Sequence, residues 1–250
     1  MILNKFRPRS LFHLFKALSL QFLAISLFSC AKTANSNANK SFVALTHVAY
    51  GVGPLNLVLD GDSLLPAPVP FGNTSGTPGF PYDTTTSRID DMQLVQGSDI
   101  LLQGNSAFQQ GVHYSIFAYD TLNKNTINLI IFQDNPTFRT DTFTYIRYLN
   151  FSPGSKALGL YLTNSKDTLL QFGPRLYVGN NKNPSAYGFT QVHIGYYGVR
   201  AYMDSINSAQ SWPVDSLRID TTKNYNVYLQ GFVDSASGIN KLHLKSVQLN

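Results

Sequence analysis

From residue 42 onward, apolar and polar positions alternate in short runs separated by Gly, Pro, Asn and Thr. Leu55, Leu57 and Leu59 take every second position in one run, and Leu158, Leu160 and Leu162 do the same in another. Successive side chains of a strand point to opposite faces, so each leucine trio is predicted to face a core. Residues 46–61 and 147–164 each read as a strand, a turn containing Gly and Pro, and a second strand. Residues 112–132 and 225–247 each read as two strands around a turn, the first at Asn123-Lys124-Asn125, the second closing at Gly238. Tyr114 and Ile116 correspond to Tyr225 and Val227, and Pro70-Phe71-Gly72 aligns with Gln171-Phe172-Gly173. The pattern predicts an all-β chain of two tandem antiparallel sandwiches, residues 42–135 and 142–250. The boundary, Asn135 to Asp141, contains Pro136 and is short, which predicts halves packed end to end. The stretch from Phe71 to Ser87, including Thr84-Thr85-Thr86, is rich in Gly, Pro and Thr and reads as an ordered loop. Residues 202–210 suit one short helical turn.

The first thirty residues follow a different rule. Lys5, Arg7 and Arg9 precede an apolar run, residues 17–28, that ends at Leu27-Phe28-Ser29-Cys30. The run is shorter than the roughly 20 residues a spanning helix needs. It reads as a secretory signal, residues 1–29, cleaved before a cysteine that takes lipid. Leu27 and Ser29 fit the leucine and small-residue positions, so the segment resembles the lipobox of bacterial lipoproteins. Cys30 is the lone cysteine, so no disulfide can form within the chain. Residues 30–41 lack apolar periodicity and read as a flexible tether. Ala31 stands where an inner-membrane lipoprotein would carry aspartate, and no acidic cluster follows Cys30. Both features favour an outer-membrane anchor with the domains facing the periplasm rather than the cell surface.

Charge excludes one class of partner. The whole chain carries a formal +5, but four of its basic side chains (Lys5, Arg7, Arg9 and Lys16) belong to the signal. The remainder is nearly neutral and has no basic field for nucleic acid. Only 13% of residues are charged, while 17 Phe and 14 Tyr favour strands over helices.

Several segments together carry a family likeness. Ile146, Arg147, Asn150, Ser152 and Pro153, then residues 158–162, then Phe172-Gly173 form one set; residues 57–61 and Phe71-Gly72 form a second. These sets resemble the family numbered 4397 among domains of unknown function, which occurs in tandem on lipoproteins of Bacteroidetes. The resemblance implies an immunoglobulin-like sandwich and implies no catalytic residues.

Candidate chemistry is sparse. His47, His113, His193 and His243 lack metal-ligand spacing. Asp60-Gly61-Asp62 suits either a calcium loop or a plain hairpin turn. Asp90 and Asp91 are adjacent and would diverge on an extended chain, and the chain contains no glutamate. No nucleophile elbow or phosphate loop is present. No catalytic residue, metal or cofactor is therefore expected. Aromatic side chains remain. Tyr196, Tyr197 and Tyr202 are read on the exposed side of a strand, and Trp212 in a loop before Pro213. Such rings stack against sugars, and core packing accounts for them equally well. Three loops are candidates for partner contact: Phe71 to Arg88, Leu176 to Tyr187 and Ala209 to Val214. The sequence thus points to a noncatalytic envelope lipoprotein, held in the lipid membrane by Cys30, that binds a glycan or an envelope or matrix partner. A structural spacer and a carbohydrate-active hydrolase are the alternatives.

Overall fold

Strands dominate because Val, Ile, Tyr, Phe and Thr alternate with polar residues between Gly-marked turns. The computed structural model describes residues 39–86, 89–120, 126–134, 143–164, 169–203, 211–220, 223–233 and 241–249. Residues 1–38, which include the segment read as a signal, Cys30 and most of the segment read as a tether, lie outside them, as does the segment 135–142. The first half supplies β1 (Lys40–His47), β2 (Asn56–Leu59), β3 (Asp62–Ser63), β4 (Asp83–Thr86), β5 (Ile89–Gln96), β6 (Asp99–Ala107), β7 (His113–Asp120) and β8 (Ile127–Gln133). The second supplies β9 (Phe143–Phe151), β10 (Leu158–Thr163), β11 (Leu169–Arg175), β12 (Thr190–His193), β13 (Gly195–Met203), β14 (Ser211–Ile219), β15 (Asn224–Gln230) and β16 (His243–Gln248).

These strands form four sheets, ordered β3-β2-β5-β6, β4-β1-β7-β8, β12-β9-β15-β16 and β11-β10-β13-β14. The second pair of sheets repeats the order of the first with each strand moved on by eight. Pairing is antiparallel except for β1 with β7 and β9 with β15. The parallel pairs follow from connectivity. The chain leaves β1, builds β2 to β6 and only then returns as β7, a crossover long enough to bring it back in the same direction. Asp60 and Gly61 join β2 to β3 with φ of 49° and 88°, the two positive angles of a tight hairpin turn. Thr84, Thr85 and Thr86, read as loop, pair with Ser41 and its neighbours as β4.

Both leucine trios lie in cores. Leu55, Leu57 and Leu59 pack with Val43, Leu45, Leu94 and Ile116 between the first two sheets. Leu158, Leu160 and Leu162 pack with Ile146, Tyr197, Val199 and Val227 between the last two. A third core joins the halves. It draws Ala44, Phe117, Tyr119 and Phe132 from one inner sheet and Leu149, Phe151, Tyr228 and Val247 from the other. Phe117 stacks on Phe151 at 4.9 Å and meets Tyr228 edge-on at 5.6 Å. The halves therefore pack sheet face to sheet face, not end to end. The reason lies in the inner strands, which carry large apolar side chains on both faces; all seven residues of β15 are buried.

A polar cluster sits inside this apolar seam. Arg147 Nη1 donates to Asp134 Oδ1 at 2.5 Å and to Asn226 Oδ1 at 3.1 Å. Its Nη2 donates to the Gln133 carbonyl at 2.8 Å and its Nε to the Tyr187 carbonyl at 3.2 Å. Asp134 Oδ2 accepts from Ser115 Oγ at 2.5 Å and from the Tyr82 hydroxyl at 3.1 Å. Asn226 Nδ2 donates to Ser115 Oγ at 2.8 Å. The guanidinium also lies over the rings of Phe132 and Phe189, at 4.7 and 4.2 Å from their centroids. Burial pushes the Asp134 carboxyl upward, and Arg147 with the two hydroxyl donors opposes that push.

Removing one partner of a buried, hydrogen-bonded pair strands the other. Asp134→Asn is expected to lower the unfolding free energy by about 3–5 kcal/mol. Adding Arg147→Met should recover part of that loss, because no uncompensated charge then remains. Urea unfolding of the two variants beside the parent checks both.

Candidate binding cleft

Residues 70–81 run along the edge of β1 beside β4. The His47 N–H donates to the Asn73 carbonyl at 3.0 Å, and the Ser75 N–H to the Leu45 carbonyl at 2.8 Å. Ser75 is the anchor of this loop. Its Oγ accepts from the Leu45 N–H and donates to the Pro81 carbonyl, both at 3.0 Å. The hydroxyls of Thr46 and Thr74 meet at 2.9 Å. Gly76 has φ of 73°, and a Cβ there would lie 2.6 Å from the Pro81 backbone, so the tight approach requires glycine.

His47 fixes the base of the loop. The Ala49 N–H donates to its Nδ1 at 3.2 Å, which leaves Nε2 to donate to the Gly53 carbonyl at 3.1 Å. That arrangement belongs to the neutral ring. Burial lowers its pKa, against the opposing pull of the Gly53 and Val52 carbonyls.

Opposite the loop stand β16 and the turn from β14 into β15. Between them lies a cleft of about 480 Å³, lined on one wall by Gly72 to Gly79 and on the other by Arg218, Asp220, Lys245, Ser246 and Gln248. That size falls within the span of small-ligand clefts, about 300–1,000 Å³. Tyr225 and Tyr228 reach it too, but their rings belong to the cores on either side of the sheet. Arg218 Nε donates to Asp220 Oδ1 at 2.8 Å in an exposed pair. Lys245 is exposed.

The tyrosines singled out in the sequence lie elsewhere, on β13. Neighbouring residues of a strand face opposite ways, and this separates them. Tyr196 is 65% exposed on the outer face of the outer sheet, its hydroxyl donating to Ser216 Oγ at 2.8 Å. Tyr197 points inward, is 1% exposed and donates to the His193 carbonyl at 3.0 Å. It is a core residue and offers no face to a ligand. Tyr202 returns to the outer face but lies flat across Gly159, where a Cβ would overlap its ring. It stacks on Tyr161 at 4.2 Å and donates to the Phe172 carbonyl at 3.1 Å. Trp212 belongs to β14 opposite Ala201 rather than to a loop, and its side chain lies outside the described residues. Residues 202 and 203 continue β13 where a helical turn was expected; residues 204–210 lie outside the described residues.

Of the three loops, the first forms a wall of the cleft. The second, Leu176 to Tyr187, is pinned near both ends, with residues 182–186 exposed between. Tyr177, Val178 and Tyr187 are buried in the core between the halves, and Lys182 Nζ donates to Asn128 Oδ1 of the first half at 3.1 Å. In the third, residues 209 and 210 lie outside the described residues and residues 211–214 are strand. Phe71 and Phe172, aligned in the sequence, also differ: Phe172 packs in the second core, whereas Phe71 lies against His47 and Tyr50 near the loop. Among the described residues no three His, Cys, Asp or Glu side chains converge. No protein-family model matches the chain, and no curated protein matches it significantly.

Ser75→Ala leaves the Leu45 N–H and the Pro81 carbonyl without their partner, and is expected to cost about 1–3 kcal/mol. Acid should also weaken the fold. Below the ordinary histidine value of about 6.5 the unfolded chain takes up a proton that buried His47 resists, so stability is full above that pH and falls as pH drops through it. Urea midpoints measured from pH 7.5 to 5 should decline less steeply in His47→Gln.

Proposed function

We propose that this chain is a noncatalytic lipoprotein of the cell envelope. Cys30 anchors it in the outer membrane, and its domains face the periplasm. Its two halves are immunoglobulin-like sandwiches akin to the family numbered 4397, and they hold a glycan or an envelope or matrix partner in the cleft between residues 72–79 and β16. The observation that carries the reading is the cleft itself. It is a recess of mixed polar and apolar lining between a loop tied down by Ser75 and a strand end belonging to the other half. Both walls belong to one body because the inner sheets share a core. Rigid sheets that display a loop are a common basis for recognition.

Two measurements on cells producing the full chain test this. A palmitate label should be incorporated, and Cys30→Ser should abolish it. A photo-crosslinking residue at Thr77, on the cleft wall, should give a discrete envelope adduct, while one at Asp99, exposed at the start of β6, should not. Equal labelling from both positions, or none from either, is the result a plain spacer would give.

A further inference from the structure

We propose that the occupant of this cleft is an extended acidic peptide segment of an envelope protein, added as a strand to the edge of β16 that faces away from β15. The inference rests on the cleft being the binding site. Its first support is main-chain geometry. Among the described strands β16 ends its sheet, with β15 on one side. The Leu249 N–H donates to the Asn224 carbonyl at 2.8 Å, and the register then sets Val247 opposite Asn226 and Lys245 opposite Tyr228. Main-chain groups in an antiparallel ladder alternate in direction. Those of Val247 and Lys245 therefore face β15, and those of Ser246 face away from it. Ser246 lines the cleft. On the opposite wall the Asn73 carbonyl and the Ser75 N–H are spent on β1, so Thr74, between them, turns its main-chain groups outward. Thr74 lines the cleft as well. An added strand uses such a row of main-chain donors and acceptors.

The second support is what the cleft lacks. Sugars pack on open aromatic faces. The two tyrosines here are 4% and 1% exposed, with their rings taken up by the cores. Residues 72–79 are Gly, Asn, Thr, Ser and Pro, so the loop wall carries no large side chain; Gly72 and Gly79 lie against the side chains of Gln230 and Gln248, and Gly76 against Pro81. Charge decides the peptide's composition. Residues 72–81 include no charged side chain, Arg218 and Asp220 pair with each other, and Lys245 gives the opposite wall its positive balance.

The test pans a phage library of random twelve-residue peptides on the full-length chain in detergent micelles. The strongest binder is then synthesised in its plain form and in two forms N-methylated at alternating residues. Enrichment of Asp- and Glu-containing sequences is expected. N-methylation in at least one of the two registers should weaken binding tenfold or more by fluorescence anisotropy, as should Lys245→Glu, whose exposed site should leave the urea midpoint unchanged. Peptides without acidic bias, or binding indifferent to N-methylation in both registers, would overturn the proposal. An oligogalacturonate serves as the second probe. If it binds saturably and Lys245→Glu abolishes that binding while no peptide is enriched, the cleft stands as a binding site and the peptide assignment fails. If neither probe binds, both readings fail.

Discussion

Two sheet faces rich in Phe and Tyr cannot both stay in water, and their mutual burial is the constraint on which this structure depends. Phe117, Phe132, Phe151 and Tyr228 form the seam. A fully apolar seam of flat sheets would hold the halves together yet let them slide, since dispersion and hydrophobic burial are non-directional. The Arg147–Asp134 pair supplies direction. Asp134 ends the first half and Arg147 sits in β9 of the second; their hydrogen bonds reach Ser115, Tyr82, Gln133, Asn226 and Tyr187. A shift of one half by a residue would break the bonds that cross the seam, from Arg147 to Asp134 and to the Gln133 carbonyl and from Asn226 to Ser115, and leave charges buried without partners.

The repeated topology explains why the cluster is lopsided. Ala44 lies beside Ser115 in the first inner sheet as Arg147 lies beside Asn226 in the second. Ser115 and Asn226 occupy corresponding places in β7 and β15, and they bond each other across the seam. A second bulky cation in place of Ala44 would crowd and repel the first, whereas alanine leaves room for the guanidinium between Phe132 and Phe189. The same packing sets the cleft. Once the inner sheets are stacked, the loop on the edge of β1 stands opposite the edge strand β16, and the space between them is the one recess described above.

Much of the architecture was legible in the sequence because alternation is a local property. The leucine trios marked β2 and β10, and the pairing of Tyr114 with Tyr225 marked β7 and β15 as counterparts. Alternation also separates Tyr196 from Tyr197, since adjacent residues on one strand cannot share a face; reading both as exposed overlooked that. Two-sided burial was harder to see. Residues 143–151 and 224–230 include Thr144, Arg147, Asn224, Asn226 and Gln230, which in a one-sided strand would face solvent, yet here they are buried. Arg147 amid Ile146, Tyr148 and Leu149 was the visible clue. Its partner lies outside any local window, and no spacing rule predicts that Asp134 meets it. The cleft is likewise a product of tertiary packing, with only its loop wall marked beforehand by Gly and Pro.

Native-state hydrogen exchange followed residue by residue tests most directly whether the halves form one cooperative body. The account predicts that buried amides of β7 and β15 exchange through a single opening of the same free energy, and that this equals the global unfolding free energy. An opening that releases β15 while β7 stays protected, or the reverse, would show two independently stable sandwiches and contradict it.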